Sequence, residues 1–218
     1  MTRAIIFVNG LISDYTWLAQ LPRADDLLIG ADGGARHITK IGRRPHVVVG
    51  DMDSLQAAEV EQFAAQGVRL ERHKPEKDQT DLELAIERAL AEGADQIVLV
   101  GVQGDRWDQS LANLLILAQR DWPAQLCVMD GVQSAQIVRG GHKITVEGAP
   151  GDVISAIPLS PLVTGITYSG LRYPLQNAEL PLGSTRGISN ELASASATIS
   201  IHSGLLLVTH IRRYNRAE

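Results

Sequence analysis

The sequence predicts an α/β domain over residues 1–130, built on a mostly parallel, Rossmann-like sheet, followed by an antiparallel β-sandwich over residues 131–218. Three observations predict it. Short apolar runs alternate with helical periods up to about residue 130, which is the signature of strands buried on both faces. The long helical periods then stop. Beyond them, segments that alternate residue by residue are separated by Gly, Pro and Ser, as in an all-β unit.

The first-half runs are "AIIFV" (4–8), "LLIGA" (27–31), "HVVVG" (46–50), "VRLER" (68–72), "IVLVG" (97–101) and "QLCVM" (125–129). Between them, "KPEKDQTDLELAIERALAEG" places Leu82, Ala85, Ile86, Ala89 and Leu90 at helical spacing, with Thr80 and Glu83 as a capping box and Gly93 as the stop. In "GVQGDRWDQSLANLLILAQ" a glycine-flanked turn enters a helix whose expected core face is Leu111, Leu114, Leu115 and Ala118. The second half offers "KITVE", "DVISAIPL" and "GITYSG" as strands. In "ASATISIHSGLLLVTHI", Ala195, Ala197, Ile199 and Ile201 share a face and a turn falls at His202-Ser203-Gly204.

Bulk properties narrow the function. With 20 Lys and Arg against 25 Asp and Glu the formal charge is −5, and no basic run occurs, which argues against nucleic acid or a membrane surface as partner. The one cysteine, Cys127, cannot form an internal disulfide and reads as a core residue in a reducing compartment. "AIIFV" is too short for a signal peptide or a span, so a cytoplasmic location is expected.

Polar residues collect where the first-half strands end. The runs finish in Asn9-Gly10, in Asp32-Gly33-Gly34, in Gly50-Asp51-Met52-Asp53 and in Gly101, along the rim where open α/β sheets bind ligands. Asp78 and Asp81 bracket a helix N-terminus, and Asp105, Arg106 and Asp108 lie in the turn before another. Any one of these aspartates alone reads as a turn former or helix cap. Clustered, Asp51, Asp53, Asp78 and Asp81 repel one another unless a cation compensates, and hard oxygen donors select Mg²⁺ or Ca²⁺. Magnesium held by a few carboxylates completes its shell with water and substrate phosphates. No phosphate-loop motif with its G-K-[ST] is present.

In order, "ADGGARHI", "PHVVVGDMDSL", "KDQTDLELAI", "GVQGDRWDQSLANL", "GLRYPL" and "GISNEL" resemble the motifs of thiamine pyrophosphokinases of the bacterial type. Asp105 stands where the family usually has Gly, and Gln109 where it has His. The resemblance implies transfer of the β,γ-pyrophosphate of ATP to the hydroxyl of thiamine, giving thiamine diphosphate and AMP, in a homodimer with sites at the subunit interface. It further implies that Asp51, Asp53 and Asp81 hold Mg²⁺, with Asp32 and Asp78 as direct or outer partners. Asp32, Gly33, Asp78, Thr80, Arg106 and Asp108 would meet ATP, Arg106 would stabilise charge growing in transfer, and Asp81 is the candidate base. Tyr173 would stack on the thiamine pyrimidine, with Ser189 and Asn190 bonding its edge. Tyr173 as core filling and Ser189-Asn190 as a turn stay open as structural readings.

Three other readings share some of these features. A pterin pyrophosphokinase would keep the rim and differ in the second half. A haloacid-dehalogenase-like phosphatase has a hydrophobic-D-x-D motif, but Gly50 separates strand from aspartate here. A nucleotide-binding or receiver-like module would bind without turnover.

Overall fold

The computed structural model describes residues 2–74 and 76–213, and the chain divides into two compact units that meet in sequence at Gly131 and Val132. In the first unit the chain runs β1 (Arg3–Phe7), α1 (Tyr15–Gln20), β2 (Leu27–Ala31), a 3₁₀ turn (Asp32–Gly34), α2 (Ala35–Lys40), β3 (Val47–Gly50), α3 (Ala57–Ala65) and β4 (Arg69–Arg72). It continues through α4 (Asp81–Ala91), β5 (Gln96–Val100), α5 (Trp107–Leu115), a second 3₁₀ turn (Ile116–Ala118) and β6 (Gln125–Asp130). Each apolar run singled out above becomes a strand, with ends shifted by a residue or so.

These six strands pair in the order β6-β5-β1-β2-β3-β4, and every pairing among them is parallel. Ile5, Phe7, Leu28, Val98 and Val100 cluster with Leu18 of α1 and Ile38 of α2. Their strand neighbours Ala4, Ile6, Ile29, Ile97 and Leu99 are fully buried too, and α4 packs across β1, β2 and β3. Burial on both faces explains why the strands read as unbroken apolar runs. The chain proceeds outward from β1 to β4 and then returns to the other side of β1 for β5, so the direction of winding reverses between β1 and β5. That reversal opens a crevice at the strands' carboxyl ends.

Two helices differ from expectation. At α4 only half of the capping box forms: Thr80 Oγ1 accepts from Glu83 N at 3.2 Å, while the Glu83 carboxylate takes a bond from Gln119 Nε2 at 2.9 Å. On α5, periodicity predicts a core face, yet Leu111 is 58% and Leu115 40% exposed, beside Trp107 at 89%. The apolar stripe exists, but nothing within the described residues covers it.

The second unit holds β7 (Gln133–Arg139), β8 (Lys143–Glu147), β9 (Val153–Pro158), β10 (Leu162–Ser169), β11 (Ala178–Pro181), β12 (Asn190–Glu191), β13 (Ser196–Ser200) and β14 (Leu205–Ile211). They form two antiparallel layers, β12-β9-β14-β7 and β11-β10-β13-β8. Val138, Ile154, Leu206 and Val208 of one layer join Val146, Val163, Ile166 and Ile199 of the other in a single core. The turn at His202–Gly204 therefore carries the chain from one layer to the other rather than closing a hairpin. Ala195, expected on the inward face, lies exposed ahead of β13, whereas Ala197, Ile199 and Ile201 are buried.

No described helix is long and apolar enough to cross a membrane. Burial pushes the Cys127 thiol up to about 11 against the opposing pull of Arg3, which leaves it an unreactive packing group.

Arg3 and Asp26 tie the start of β1 to the segment before β2. Arg3 Nε and Nη2 reach Asp26 Oδ1 and Oδ2 at 2.9 and 2.6 Å, and Arg23 N donates to Oδ2 at 2.7 Å. Burial alone would raise the Asp26 carboxyl, but these donors outweigh it and hold it below the usual carboxylate value of 3.8. Asp26→Asn should cost about 3 kcal/mol at neutral pH, because Arg3 is left buried without its charge partner. The depressed pKa means the contribution is complete above the unfolded value and disappears as pH falls through the folded one. Urea denaturation should accordingly show the gap between wild type and variant closing below about pH 4; an unchanged gap at low pH would rule this pairing out as the cause.

Candidate active site

At the crevice between the ends of β1 and β5, the first unit has a cleft of about 510 Å³. Asn9 and Gly10 follow β1, Asp32 follows β2, Asp51 and Ser54 follow β3, and Gly104–Arg106 follow β5. Lys77, Thr80 and Asp81 close it from the start of α4, and Gln109, Ser110 and Asn113 from α5. Of the residues expected at the site, Asp32, Asp51, Thr80, Asp81 and Arg106 line this wall. Gly33, Asp53, Asp78 and Asp108 are not part of it, although Asp53 joins the acidic group described next.

Among the described residues, Asp32, Asp51 and Asp53 bring one carboxylate oxygen each within 4.8 Å of one another. Asp32 is 7% exposed, its backbone sits at φ 47°, and its Oδ1 is buried without a hydrogen-bond partner. A buried carboxylate oxygen without a partner, on a residue grouped with two further carboxylates, is costly in the chain alone. A divalent cation taking oxygen ligands relieves both penalties, so the donor set fits Mg²⁺ or a cation like it. Asp81 belongs to a neighbouring pair rather than to this trio: Lys77 Nζ bonds its Oδ1 at 2.7 Å.

Backbone geometry sets the carboxylate spacing. Gly50 ends β3 at φ 147°, and a Cβ placed there would lie 3.1 Å from Asp32 Cβ and 3.1 Å from Asp81 Cγ. The chain passes between two acidic residues where a Cβ would be tightly crowded, in a backbone conformation that favours glycine.

Arg106 is the N-cap residue of α5, and its guanidinium forms a two-bond pair with the Asp108 carboxylate, both side chains 66% exposed. The hydrogen bond from Arg106 holds Asp108 below the usual carboxylate range. The turn that presents Arg106 is fixed from α5. Ser110 Oγ accepts from Gly104 N at 2.9 Å, and Asn113 Nδ2 donates to Val102 O at 2.9 Å.

Sequence reasoning missed Ser110, Asn113 and Lys77. Ser110 and Asn113 follow Arg106 at i+4 and i+7, a polar stripe that periodicity could have revealed. Lys77 and Asp81 are an i, i+4 pair, again a readable spacing.

Tyr173, Ser189 and Asn190 come together in the second unit. Asn190 is 7% exposed; its Oδ1 accepts from Tyr173 N at 3.0 Å and its Nδ2 donates to Tyr173 O at 2.7 Å. The amide is thus engaged with the backbone of Tyr173, whose ring is 59% exposed beneath the Arg172 guanidinium. Ser189 stands at φ 59° and donates its N–H to Ser155 Oγ at 3.0 Å.

A winding reversal, an acidic trio and an arginine at a helix start are the features that a metal-assisted phosphate site would require. Comparison with known proteins makes the assignment specific. Residues 18–128 match the model of the thiamin pyrophosphokinase catalytic domain, and residues 141–206 that of the thiamin pyrophosphokinase vitamin B1 binding domain. The thiamine pyrophosphokinase of Bacillus subtilis (strain 168) is 33% identical over 183 residues, covering 84% of this chain and 86% of that protein. The crystal structure of a Bacillus subtilis thiamine pyrophosphokinase superposes with TM-score 0.86 at 30% identity, over 98% of this chain and 100% of the other. That from Geobacillus thermodenitrificans gives 0.81 at 29% identity, over 99% of each. The chain belongs to the thiamine pyrophosphokinase family.

Gly50→Ala should push Asp32 and Asp81 apart and force an unfavourable backbone. A loss of about 1–3 kcal/mol is expected in denaturant titration, accompanied by weaker Mn²⁺ binding in calorimetry. Wild-type values in both would show that the carboxylates do not depend on that close approach.

Proposed function

We propose that this pyrophosphotransferase acts as its family does: the hydroxyl of thiamine attacks the β-phosphorus of ATP, the bond to the α-phosphate bridging oxygen breaks, and thiamine diphosphate and AMP result. The observation that carries the reading is the acidic trio at the carboxyl ends of β2 and β3, with the buried, unpartnered Asp32 Oδ1. An anionic triphosphate cannot approach three carboxylates without a cation between them. Asp32, Asp51 and Asp53 would hold that cation, with Asp81 and Asp78 near it. Magnesium bound there supplies charge neutralisation and polarisation of phosphate oxygens.

The chain's own groups do the rest. Arg106 and Lys77 bind phosphate oxygens, Arg106 from a helix start where backbone N–H groups also point at the anion. Such fixed positive groups stabilise charge that grows during transfer without moving a proton. Asp81, held by Lys77, is the carboxylate offered to the hydroxyl proton. Thr80 borders the nucleotide, whereas Gly33 and Asp108 stand outside the cleft wall.

In the second unit, Tyr173 offers an exposed ring on which a pyrimidine stacks, with Ser189 beside it and Asn190 holding its backbone. The single core shared by two antiparallel layers supports the description of this unit as a sandwich, and the parallel sheet with its reversal supports the Rossmann-like description of the first. A cytoplasmic setting suits the lone thiol of Cys127.

Attack at the β-phosphorus makes AMP the leaving group, whereas attack at the γ-phosphorus releases ADP. Chromatography after incubation with ATP, Mg²⁺ and thiamine should show AMP rising in step with thiamine diphosphate. Stoichiometric ADP with thiamine monophosphate would sink the assignment.

A homodimer is the assembly this reading favours, because Trp107, Leu111 and Leu115 leave an apolar stripe on α5 for a second copy to cover. In such a dimer each site draws its acidic cluster from one protomer and its Tyr173 pocket from the partner. Asp53→Asn and Asn190→Ala, each inactive alone, should then complement on co-refolding and return roughly a quarter of wild-type activity, since half the dimers are mixed and each holds one intact site of two. Activity no higher than the single variants, in mixed dimers shown to form, means that each site is built within one chain.

A further inference from the structure

Resting on the proposed binding of a divalent cation and nucleotide in the cleft, we propose that Arg36 and His37, neighbours on α2, are positioning residues for the two loops on either side of Asp32. Arg36 sets the loop that carries Asp51 and Asp53. His37 sets the loop of Asn9 and Gly10.

The Arg36 guanidinium spans two loop positions at once. Its Nε and Nη2 meet Glu59 Oε1 and Oε2 at 2.7 and 2.6 Å, and Nη2 also donates to the Ser54 carbonyl at 2.7 Å. Glu59 Oε2 in turn accepts from Gln56 N at 2.8 Å. The chain is therefore tied at Ser54 and Gln56, immediately after the acidic pair. Apart from buried Met52 and Leu55, the loop holds itself by short internal bonds, Asp53 N to Asp51 Oδ1 at 3.1 Å and Ser54 Oγ to Asp53 Oδ1 at 3.3 Å. The Arg36 and Glu59 side chains are 40% and 28% exposed. An ion pair so exposed contributes little to stability, so its consequence is geometric.

His37 faces the other way. Its Nε2 lies 3.0 Å from Gly10 O and its Nδ1 2.7 Å from Tyr15 Oη. A carbonyl only accepts, so Nε2 carries the proton and Nδ1 accepts from the Tyr15 hydroxyl. Burial lowers the imidazole below its usual pKa, in keeping with this neutral form. Gly10 is already pressed against the loop after β5: Gly10 N donates to Gly101 O at 2.8 Å and Leu11 N to Gln103 O at 2.6 Å. A Cβ on Gly10 would lie 2.2 Å from Gln103 O, so the loop has no slack on that side. His37 closes the opposite side, and the cleft wall at Asn9 is held from both.

The test separates the two roles on the full chain. Calorimetry with Mn²⁺ alone should show Arg36→Ala binding about tenfold more weakly, the scale of losing a partner that orients metal ligands, with melting temperature little changed. Arg36→Lys keeps the charge but not the planar fork and should lose as much. His37→Ala should leave Mn²⁺ binding intact and weaken Mg²⁺-ATP, titrated without thiamine, several-fold. His37→Gln, which retains a donor toward Gly10 and an acceptor toward Tyr15, should restore it. Wild-type Mn²⁺ affinity in folded Arg36→Ala, or in Arg36→Lys should the alanine variant not fold, overturns the role of Arg36. His37→Ala that alters both ligands equally, or neither, overturns that of His37. A wild-type chain that makes no thiamine diphosphate removes the proposed reaction, while the Mn²⁺ comparison still decides the positioning.

Discussion

Asp32, Asp51 and Asp53 stand at the ends of adjacent strands with one oxygen of each within 4.8 Å of the others, and Asp32 Oδ1 is buried without a donor. Left alone, the three carboxylates would move apart. The surrounding structure denies them that escape. Asp32 is committed to a left-handed backbone in the turn between β2 and α2, a conformation that aspartate tolerates better than most residues. Gly50 lets β3 pass with nothing between Asp32 and Asp81. Arg36 and Glu59 then hold the following loop at Ser54 and Gln56. In the proposed function a bound cation would relieve this electrostatic strain, which is how a site can be rigid and still favour its ligand.

Much of the first unit was readable because burial on both faces leaves so plain a mark. A run such as "IVLVG" has no polar position to confuse it, and its boundary is set by Gly101 at the carboxyl end, as glycine and aspartate bound other runs. The same boundary residues made the rim visible. What the sequence could not show were contacts between distant positions. Arg36 meets Glu59 across 23 residues, with no local pattern to announce the pair. Asn190 was recognised by its motif, yet its amide turns back on Tyr173 rather than facing outward, a choice made by the tertiary fold. Alternation continues on both sides of the turn at His202–Gly204 and does not show whether it closes a hairpin; only the pairing partners reveal that the chain changes layers.

The misreading of α5 has a different cause. Helical periodicity reports that one face is apolar and is silent about what covers it. Trp107, Leu111 and Leu115 follow at i, i+4 and i+8, which in a single chain would be core, and here they face outward. The polar stripe of the same helix does the opposite work, since Ser110 and Asn113 fix the turn that presents Arg106 to the cleft. Nine residues therefore serve two surfaces. A helix this short has little stability of its own and depends on what packs against it. Covering its outer stripe with a second copy would fix the inner one as well, and with it the arginine of the proposed phosphate chemistry. On that reading assembly and phosphate binding are linked through one helix.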